Sequence, residues 1–193
     1  MFWKGPLLPP FILLFLSGIA YNTIYASAQQ DSATLLTYTN TDLGFTMKYP
    51  SDWTVNESSS IVTDHRVRFA STDGIGNVVV EVRNATEEQM AIVNTNDESA
   101  KANGVKRLLS PNENLLELDV SRYFLSGHPA IRLVEMVNVQ SSPPFDAKGM
   151  TYTVFLNGKW YKVGYYVIPP EDFPKYLPTA QSMINSFQII SKQ

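Results

Sequence analysis

The chain has 193 residues, of which 44% are hydrophobic and 17% charged, and this is enough for one domain with a substantial core. Its formal net charge is −3, and the sequence shows no basic stripe. These features argue against nucleic acid as a partner, because nucleic-acid binding needs clustered Lys and Arg. The sequence contains no cysteine, which excludes disulfides, thiolate metal sites, cysteine nucleophiles and a lipidated N-terminal cysteine.

The first 28 residues read as an export signal. Lys4 precedes an apolar run over residues 6–20, and Ala26 and Ala28 supply the small residues that a signal peptidase accepts. We predict cleavage before Gln29. The alternative is an uncleaved membrane anchor, because the run extends toward the length of about 20 residues that a spanning helix needs. Both alternatives place the globular part outside the cytoplasm, either secreted or at the outer face of the cytoplasmic membrane.

Residues 29–34 are a predicted polar linker, and residues 35–193 are a predicted single domain. Alternating apolar residues, separated by turn-forming clusters, predict strand segments along this domain. In chain order these segments are 35–39, 44–49, 61–70, 78–82, 105–109, 118–125, 130–139, 150–156 and 160–168. Between them, Thr86 and Gln89 match a capping box, which predicts a helix that ends near Asn94.

The strongest signal is a hairpin over residues 150–168. Its first strand alternates apolar and polar residues, and Asn157-Gly158 follows at once. This pair tolerates the positive φ angles of a two-residue type I′ turn. Such a turn fixes the register, so we expect Phe155 to face Trp160 across the hairpin, with one face of the hairpin almost wholly apolar.

A closing helix is predicted after the hairpin. Apolar residues recur at helical spacing between Phe173 and Phe187 and form one stripe to lay on a sheet. Residues 140–148, which include Pro143 and Pro144, are predicted as a loop before the hairpin. The elements together predict an α+β fold, with a mostly antiparallel sheet of about six or seven strands and helices packed on it.

Two stretches of the chain together carry a family resemblance. The first runs from Tyr38 to Trp53 and contains Gly44-Phe45 and Tyr49-Pro50-Ser51-Asp52-Trp53. The second contains, in order, Gly127-His128-Pro129-Ala130, Asn157-Gly158-Lys159-Trp160-Tyr161, Tyr176-Leu177-Pro178-Thr179-Ala180 and Met183-Ile184-Asn185-Ser186-Phe187. This ordered set resembles the PsbP family, which is named for an extrinsic subunit of the photosystem II oxygen-evolving complex.

The resemblance implies an α/β/α sandwich around an antiparallel sheet, in agreement with the pattern of elements. Photosystem accessory subunits, bacterial lipoproteins and a Ran-binding nuclear transport protein share that fold, so function has to be argued from sites. The Sec-type leader of this chain departs from the photosynthetic members. The resemblance therefore implies an exported, non-photosynthetic member of the family.

The sequence shows no recognisable catalytic constellation. His65 and His128 are its histidines; the first follows Asp64 on a predicted strand, and the second lies in a Gly-His-Pro turn. No serine lies in a G-x-S-x-G motif, and Ser126 beside Gly127 lacks a third orienting group at any recognisable spacing. We therefore predict that the protein is not an enzyme.

Two small polar groups are the candidates for a divalent-cation site. Asp73 and Asn77 lie in one loop, and Glu113, Glu117 and Asp119 form a second group. Hard cations such as calcium need convergent carboxylates, and the first loop has too few acids and the wrong spacing for an EF-hand. Solvated turns are the simpler interpretation. We predict no cofactor, with calcium or another divalent cation as the alternative.

The aromatic hairpin supplies the candidate binding surface. Phe155, Trp160 and Tyr166 lie on the second face of the hairpin and would line a ligand or partner surface if that face were not fully covered. Separately, Asn56 and Asn84 each begin a glycosylation sequon and are candidate modification sites.

Three functional hypotheses follow. The first is a non-catalytic accessory module that binds a protein partner outside the cytoplasm, at a membrane surface or in solution. The second is a carrier of a small apolar ligand between sheet and helix, which would need a large apolar cavity. The third is a cation-binding accessory protein, which would need at least three converging carboxylates.

Overall fold

The computed structural model describes residues 34–60, 64–94, 104 and 114–190. The strands are β1 (Leu35–Asn40), β2 (Phe45–Pro50), β3 (Thr54–Ser60), β4 (Asp64–Ala70), β5 (Asn77–Asn84), β6 (Leu115–Leu125), β7 (His128–Val139), β8 (Phe145–Leu156), β9 (Lys159–Val167) and β10 (Gln188–Ile189). The helices that lie wholly within the described ranges are α1 (Glu87–Asn94) and α2 (Phe173–Asn185), and a 3-10 turn (Pro170–Asp172) leads into α2.

The strands form two antiparallel sheets. The main sheet has seven strands in the order β3-β4-β5-β9-β8-β7-β6, and the small sheet has the order β1-β2-β10. This arrangement confirms the predicted α+β fold and the predicted size of the main sheet. The prediction of one sheet was incomplete, because β1 and β2 leave the main sheet and pair with β10 in a second layer.

The hairpin of β8 and β9 is confirmed in its turn and in its register. Asn157 and Gly158 have φ angles of 52° and 72°, as a type I′ turn requires. Phe155 pairs with Trp160 as predicted. The hairpin occupies the middle of the main sheet, between β5 and β7.

One face of the main sheet packs on α2 and on the small sheet. On β9 this face presents Tyr161, Val163, Tyr165 and Val167, all buried. Against them lie buried side chains from β2, from α2 and from the segment after α2, namely Phe45, Met47, Ala180, Met183, Ile184 and Phe187. The predicted closing helix is confirmed, although it ends at Asn185, before the last residue of the predicted stripe.

The opposite face of the main sheet carries a smaller cluster. Ile131, Leu133 and Trp160 are buried together there, and α1 contacts β7. Tyr166 lies flat on the sheet over two glycines: a Cβ on Gly164 would lie 2.6 Å from its ring. A bulkier residue at that position would displace the ring, so glycine is required for this packing.

The capping box at the start of α1 is confirmed. The Thr86 hydroxyl oxygen accepts a hydrogen bond from the Gln89 backbone N–H (3.2 Å), and the Gln89 side-chain oxygen accepts one from the Thr86 N–H (3.0 Å). These reciprocal bonds satisfy two donors that the first turn of a helix leaves unpaired.

Several boundaries differ from the sequence prediction. β3 was missed, because its sequence Thr-Val-Asn-Glu-Ser-Ser-Ser is polar and lies at the edge of the sheet. Residues 145–148 were predicted as loop but belong to β8, where cross-strand pairing with β7 overrides weak local preference. The predicted strand at 105–109 and the leader, including Ala26 and Ala28, lie outside the described residues. Within the described ranges no helix is long and apolar enough to span a membrane.

Candidate functional site

The two ends of the β8–β9 hairpin differ in openness. At the end where β9 begins, two clefts flank Lys159, beneath the β1–β2 turn (residues 41–44). We call this region the open end and define it by the residues that line these two clefts. We name them the charged cleft and the tyrosine cleft.

The charged cleft has a volume of about 480 Å³. Its lining combines the β1–β2 turn with the ends of β3, β4, β5 and β9, and consists of Asn40, Asp42, Leu43, Glu57, Ser58, His65, Arg66, Val67, Val82, Arg83, Asn84 and Lys159. Side chains of both charge signs therefore surround one opening. Its size is within the range of about 300–1,000 Å³ that is typical of ligand pockets.

Some charges of the charged cleft are already paired. Glu57 accepts a hydrogen bond from the Tyr38 hydroxyl (2.8 Å), and burial raises the pKa of Tyr38 to about 12. Arg66 pairs with Glu81 on β5 at 2.6 Å. The Arg83 guanidinium lies over the indole of Trp160, 3.2 Å from the ring centroid, in a cation–π contact.

Other side chains of this cleft have no such partner. Asp42 and His65 are exposed, and Lys159 is half-buried. Within the described part of the chain, none of these three side chains forms a hydrogen bond or an ion pair. None of the described residues therefore pairs with the carboxylate, the imidazole and the ammonium group that these side chains bring to the charged cleft.

The tyrosine cleft lies on the other side of Lys159 and has a volume of about 440 Å³. It is lined by Gly44, His128, Leu156, Asn157, Lys159, Tyr161, Ile189 and Ile190. Each of the two histidines thus lines a different cleft, and the structure does not bring them together.

Local sequence explains why the β1–β2 turn holds this position. The Asn40 side chain accepts a hydrogen bond from the Leu43 N–H (2.8 Å), which closes the turn. Gly44 has a φ of +78°, a left-handed conformation that other residues rarely adopt. Its carbonyl accepts a bond from the Ile190 N–H (2.9 Å), so the turn is tied to the residue that follows β10.

The opposite end of the hairpin is closed by Asp73, which was a candidate metal ligand. One of its carboxylate oxygens accepts bonds from Ser71 (2.7 Å) and the Ile75 N–H (3.1 Å). The other accepts bonds from Lys175 (2.9 Å) and Tyr176 (2.7 Å) on α2. We call this contact the latch, and its region the latched end.

The latch sets the electrostatics of Asp73. Hydrogen bonds from Tyr176 and then Lys175 hold the pKa of Asp73 far below its usual range. The carboxylate is thus saturated by protein donors, and Asn77 is similarly engaged, accepting a bond from Arg68 (2.7 Å). Asp73 therefore joins the β4–β5 turn to α2, and Asn77 bonds within β4 and the turn; neither is free to converge on a cation.

Of the second acidic group, the structure describes the side chain of Asp119. Asp119 pairs with Arg132 on the neighbouring strand at 3.3 Å. Glu117 belongs to β6, and Glu113 lies outside the described residues. Among the residues that the structure describes, no three Asp, Glu or His side chains converge on a common point.

The predicted aromatic surface is largely internal. Trp160 is only 3% exposed and packs with Ile131 and Leu133, so the condition for a binding surface, an uncovered second face, is not met at this residue. Phe155 and Tyr166 are half-buried, and Phe155 packs on Trp160 with 5.9 Å between ring centroids. The trio contributes to packing on the second face of the sheet.

The space that a carrier would use is also filled. Between the main sheet and α2, Tyr165, Ala180 and Ile184 have no exposed surface. The Tyr165 hydroxyl donates to the Phe173 carbonyl (2.9 Å), which satisfies the polar group inside this core. An apolar ligand has no room between these residues.

The two sequons are accessible but untested. Asn56 on β3 and Asn84 at the end of β5 are both exposed. Their glycosylation stays a prediction.

The sequence analysis missed the residues that make the open end. Asp42, Lys159 and Tyr161 were assigned to a turn or to packing and were not proposed as site residues. Two sequence features were available as signals: Lys159 directly follows the Asn157-Gly158 turn, and Gly44-Phe45 is part of the family resemblance. Neither position shows from sequence that the two turns meet in space.

An antiparallel seven-stranded sheet with a helix and a small sheet on one face defines an α+β sandwich domain. A family model described as PsbP-like protein matches residues 20–189. The chain therefore belongs to the PsbP-like family, as the two resembling stretches predicted. No curated protein matches the sequence.

Solved structures share the fold at low sequence identity. Cyanobacterial PsbP from Synechocystis has a TM-score of 0.54 and 11% identity, over 86% of this chain and 98% of that chain. The yeast Ran-binding protein Mog1p from Saccharomyces cerevisiae has a TM-score of 0.50 and 9% identity, over 83% and 97%. A Bacteroides thetaiotaomicron protein has a TM-score of 0.50 and 13% identity, over 81% and 48%.

Proposed function

We propose that the protein is an exported, non-catalytic accessory domain that binds a protein partner in the charged cleft. The observation that carries this proposal is a set of polar side chains around one opening that have no side-chain partner among the described residues. The side chains of Asp42, His65 and Lys159 form no hydrogen bond or ion pair with the described residues, although charged side chains nearby are paired. Unpaired charges of both signs provide electrostatic complementarity, which gives specificity and orientation at protein interfaces.

The arrangement of the charges favours a partner that carries both signs. The acidic side chains Asp42 and Glu57 come from the β1–β2 turn and β3, whereas Arg83 and Lys159 come from β5 and β9. A polyanion would meet the acidic side chains, and a polycation would meet the basic ones. A folded surface or segment with one acidic and one basic side chain fits both.

The fold supports a binding role only by analogy. The yeast structural neighbour is, by its name, a protein that binds Ran, so this fold serves protein binding in that case. A non-catalytic role is supported by the placement of His65 and His128. Each lines a separate cleft and forms no side-chain hydrogen bond with the described residues.

The test of partner binding uses charge reversal at the cleft. The tagged full chain is used to capture proteins from the extracytoplasmic fraction of its host, in parallel with Asp42→Lys and Lys159→Glu. We expect one partner to be retained by the wild type and lost by both variants. The matched control is Glu171→Lys, an exposed acid beyond the opposite end of β9.

A partner that binds all four proteins equally would contradict the assignment to the charged cleft. The absence of any partner from the wild-type capture, repeated after chemical cross-linking in intact cells, would contradict the proposed function itself.

Export is supported by the leader. The apolar run over residues 6–20 follows Lys4, and Ala26 and Ala28 fit a cleavage site. N-terminal sequencing of the protein from an expressing cell should give Gln29 as the first residue, in the extracytoplasmic fraction. An uncut chain in the membrane fraction would show that the leader is an uncleaved membrane anchor. An uncut chain in the cytosol would contradict export.

A further inference from the structure

The tyrosine cleft is a second site with a different chemistry from the charged cleft. Its lining is mixed: Leu156 and Ile189 are half-buried apolar residues that pack against the main core, and Lys159 and Tyr161 contribute an ammonium and a hydroxyl. A cleft that combines apolar side chains with a cation and a hydrogen-bond donor is suited to a ligand that is both apolar and charged.

The Tyr161 hydroxyl is the central polar group of this cleft. The residue is 4% exposed, and its hydroxyl forms no hydrogen bond with any described residue. Gly44 makes room for it, because a Cβ on Gly44 would lie 3.3 Å from the hydroxyl oxygen. The hydroxyl oxygen keeps access to solvent, so water can satisfy it, and a ligand that accepts its hydrogen bond can replace that water.

Tyr165 provides the internal comparison. It lies on the same face of β9, and its hydroxyl donates to the Phe173 carbonyl at 2.9 Å. The fold therefore satisfies a buried tyrosine hydroxyl where it has a backbone acceptor nearby. Burial raises the pKa of Tyr161, so its hydroxyl stays protonated at neutral pH and is available as a donor.

The remaining polar groups of the cleft favour an anion. Among the residues that line the tyrosine cleft, Lys159 carries a formal charge, and its side chain forms no ion pair with the described residues. The Asn157 amide and the His128 ring add hydrogen-bonding groups at the rim. An ammonium and a tyrosine hydroxyl that both donate to one group are suited to a carboxylate.

We propose that the tyrosine cleft binds a small carboxylic acid with an apolar tail, the carboxylate on Lys159 and Tyr161 and the tail on Leu156 and Ile189. This site goes beyond the proposed partner binding and differs from the carrier hypothesis, which placed a ligand between the sheet and α2. The two proposals share Lys159 but are separable, because Asp42 lines only the charged cleft and Tyr161 lines only the tyrosine cleft.

The test is calorimetric titration of the full chain with sodium octanoate. We expect saturable binding at one site. Acetate has the carboxylate without the tail and 1-octanol has the tail without the carboxylate, so both should bind at least about tenfold more weakly. Tyr161→Phe and Lys159→Gln should each weaken octanoate binding by about ten- to a hundredfold, as the loss of one hydrogen bond to a charged group predicts.

Two variants serve as controls. Tyr165→Phe removes a tyrosine hydroxyl away from the cleft, and Asp42→Lys alters only the charged cleft; both should bind octanoate like the wild type. Failure of octanoate to bind the wild type would overturn the proposal. It would also be overturned if octanol bound as tightly as octanoate, or if Tyr161→Phe and Tyr165→Phe had equal affinity. None of these results bears on the capture of a protein partner.

Discussion

The polar side chains at the two ends of β9 differ in whether they have protein hydrogen-bond partners. Near its last residues, Tyr165 donates to the Phe173 carbonyl and Asp73 is saturated by donors. Near its first residues, the Tyr161 hydroxyl and the Lys159 ammonium group form no hydrogen bond or ion pair with the described residues, although both residues line a cleft. Polar groups that protein donors and acceptors already satisfy have a structural role, whereas polar groups that line a cleft without such partners are available to a ligand.

The largest loss of stability is expected from a substitution in the core beneath the open end. Phe187 has no exposed surface and packs on Phe45, with ring centroids 5.5 Å apart. Phe187→Ala should lower the free energy of unfolding by about 3–5 kcal/mol, through lost burial and a residual cavity. Phe124 is 70% exposed, and Phe124→Ala should change the free energy of unfolding by less than about 0.5 kcal/mol.

Urea denaturation of both variants measures this difference. A small effect of Phe187→Ala would mean that the open end is loosely packed throughout, and that its clefts reflect poor packing instead of a site on a firm core.

The second prediction compares the loss of stability when the hydroxyl is removed from Tyr165 and from Tyr161. Tyr165→Phe removes a buried hydrogen bond and leaves the Phe173 carbonyl without its donor, so it should cost about 1 kcal/mol of unfolding free energy. Tyr161→Phe removes a hydroxyl that has no described partner, and the free energy should stay within about 0.5 kcal/mol of the wild type. Thermal and urea unfolding of the pair provide the measurement, and equal losses would contradict the distinction between the ends.

The smallest change in stability is expected at the latch, where the free energy of unfolding should depend on pH. The pKa of Asp73 is lowered in the folded protein, mainly by Tyr176 and Lys175. Its contribution to stability is therefore present above the ordinary aspartate pKa and is lost as pH falls toward the lower folded-state value. Asp73→Asn should flatten the decline of stability in acid, and Tyr176→Phe should flatten it partly.

Unfolding midpoints measured at a series of pH values below neutrality test this expectation. A curve for Asp73→Asn that runs parallel to the wild type would show that the latch is not coupled to protonation of this carboxylate.

The elements that local pattern specifies were predicted correctly. The Asn157-Gly158 turn permits one register, and the pairing of Phe155 with Trp160 follows from it. The α1 capping box likewise depends on residues that are three apart. These features need no information from distant parts of the chain.

The elements that depend on distant contacts were not predicted. Strand β3 is polar and is recognised only by its pairing with β4, and β10 has two residues that pair with β2. The open end likewise depends on distant contacts, because Gly44 and Ile190 are far apart in the sequence and meet only in the folded chain. Alternation assigned Trp160 to the second face of the sheet but could not show whether that face is covered, and the burial of Trp160 shows that it is covered there.

The most direct test of the distinction between the ends is an amide NMR titration of the full chain with octanoate. Octanoate should shift the signals of Gly44, Gly158 and Ile189 at the open end, in a saturable manner. The signals of Asp73 and Gly76 at the latched end should stay in place. Shifts centred on the latched end, or no shifts at all, would contradict the account.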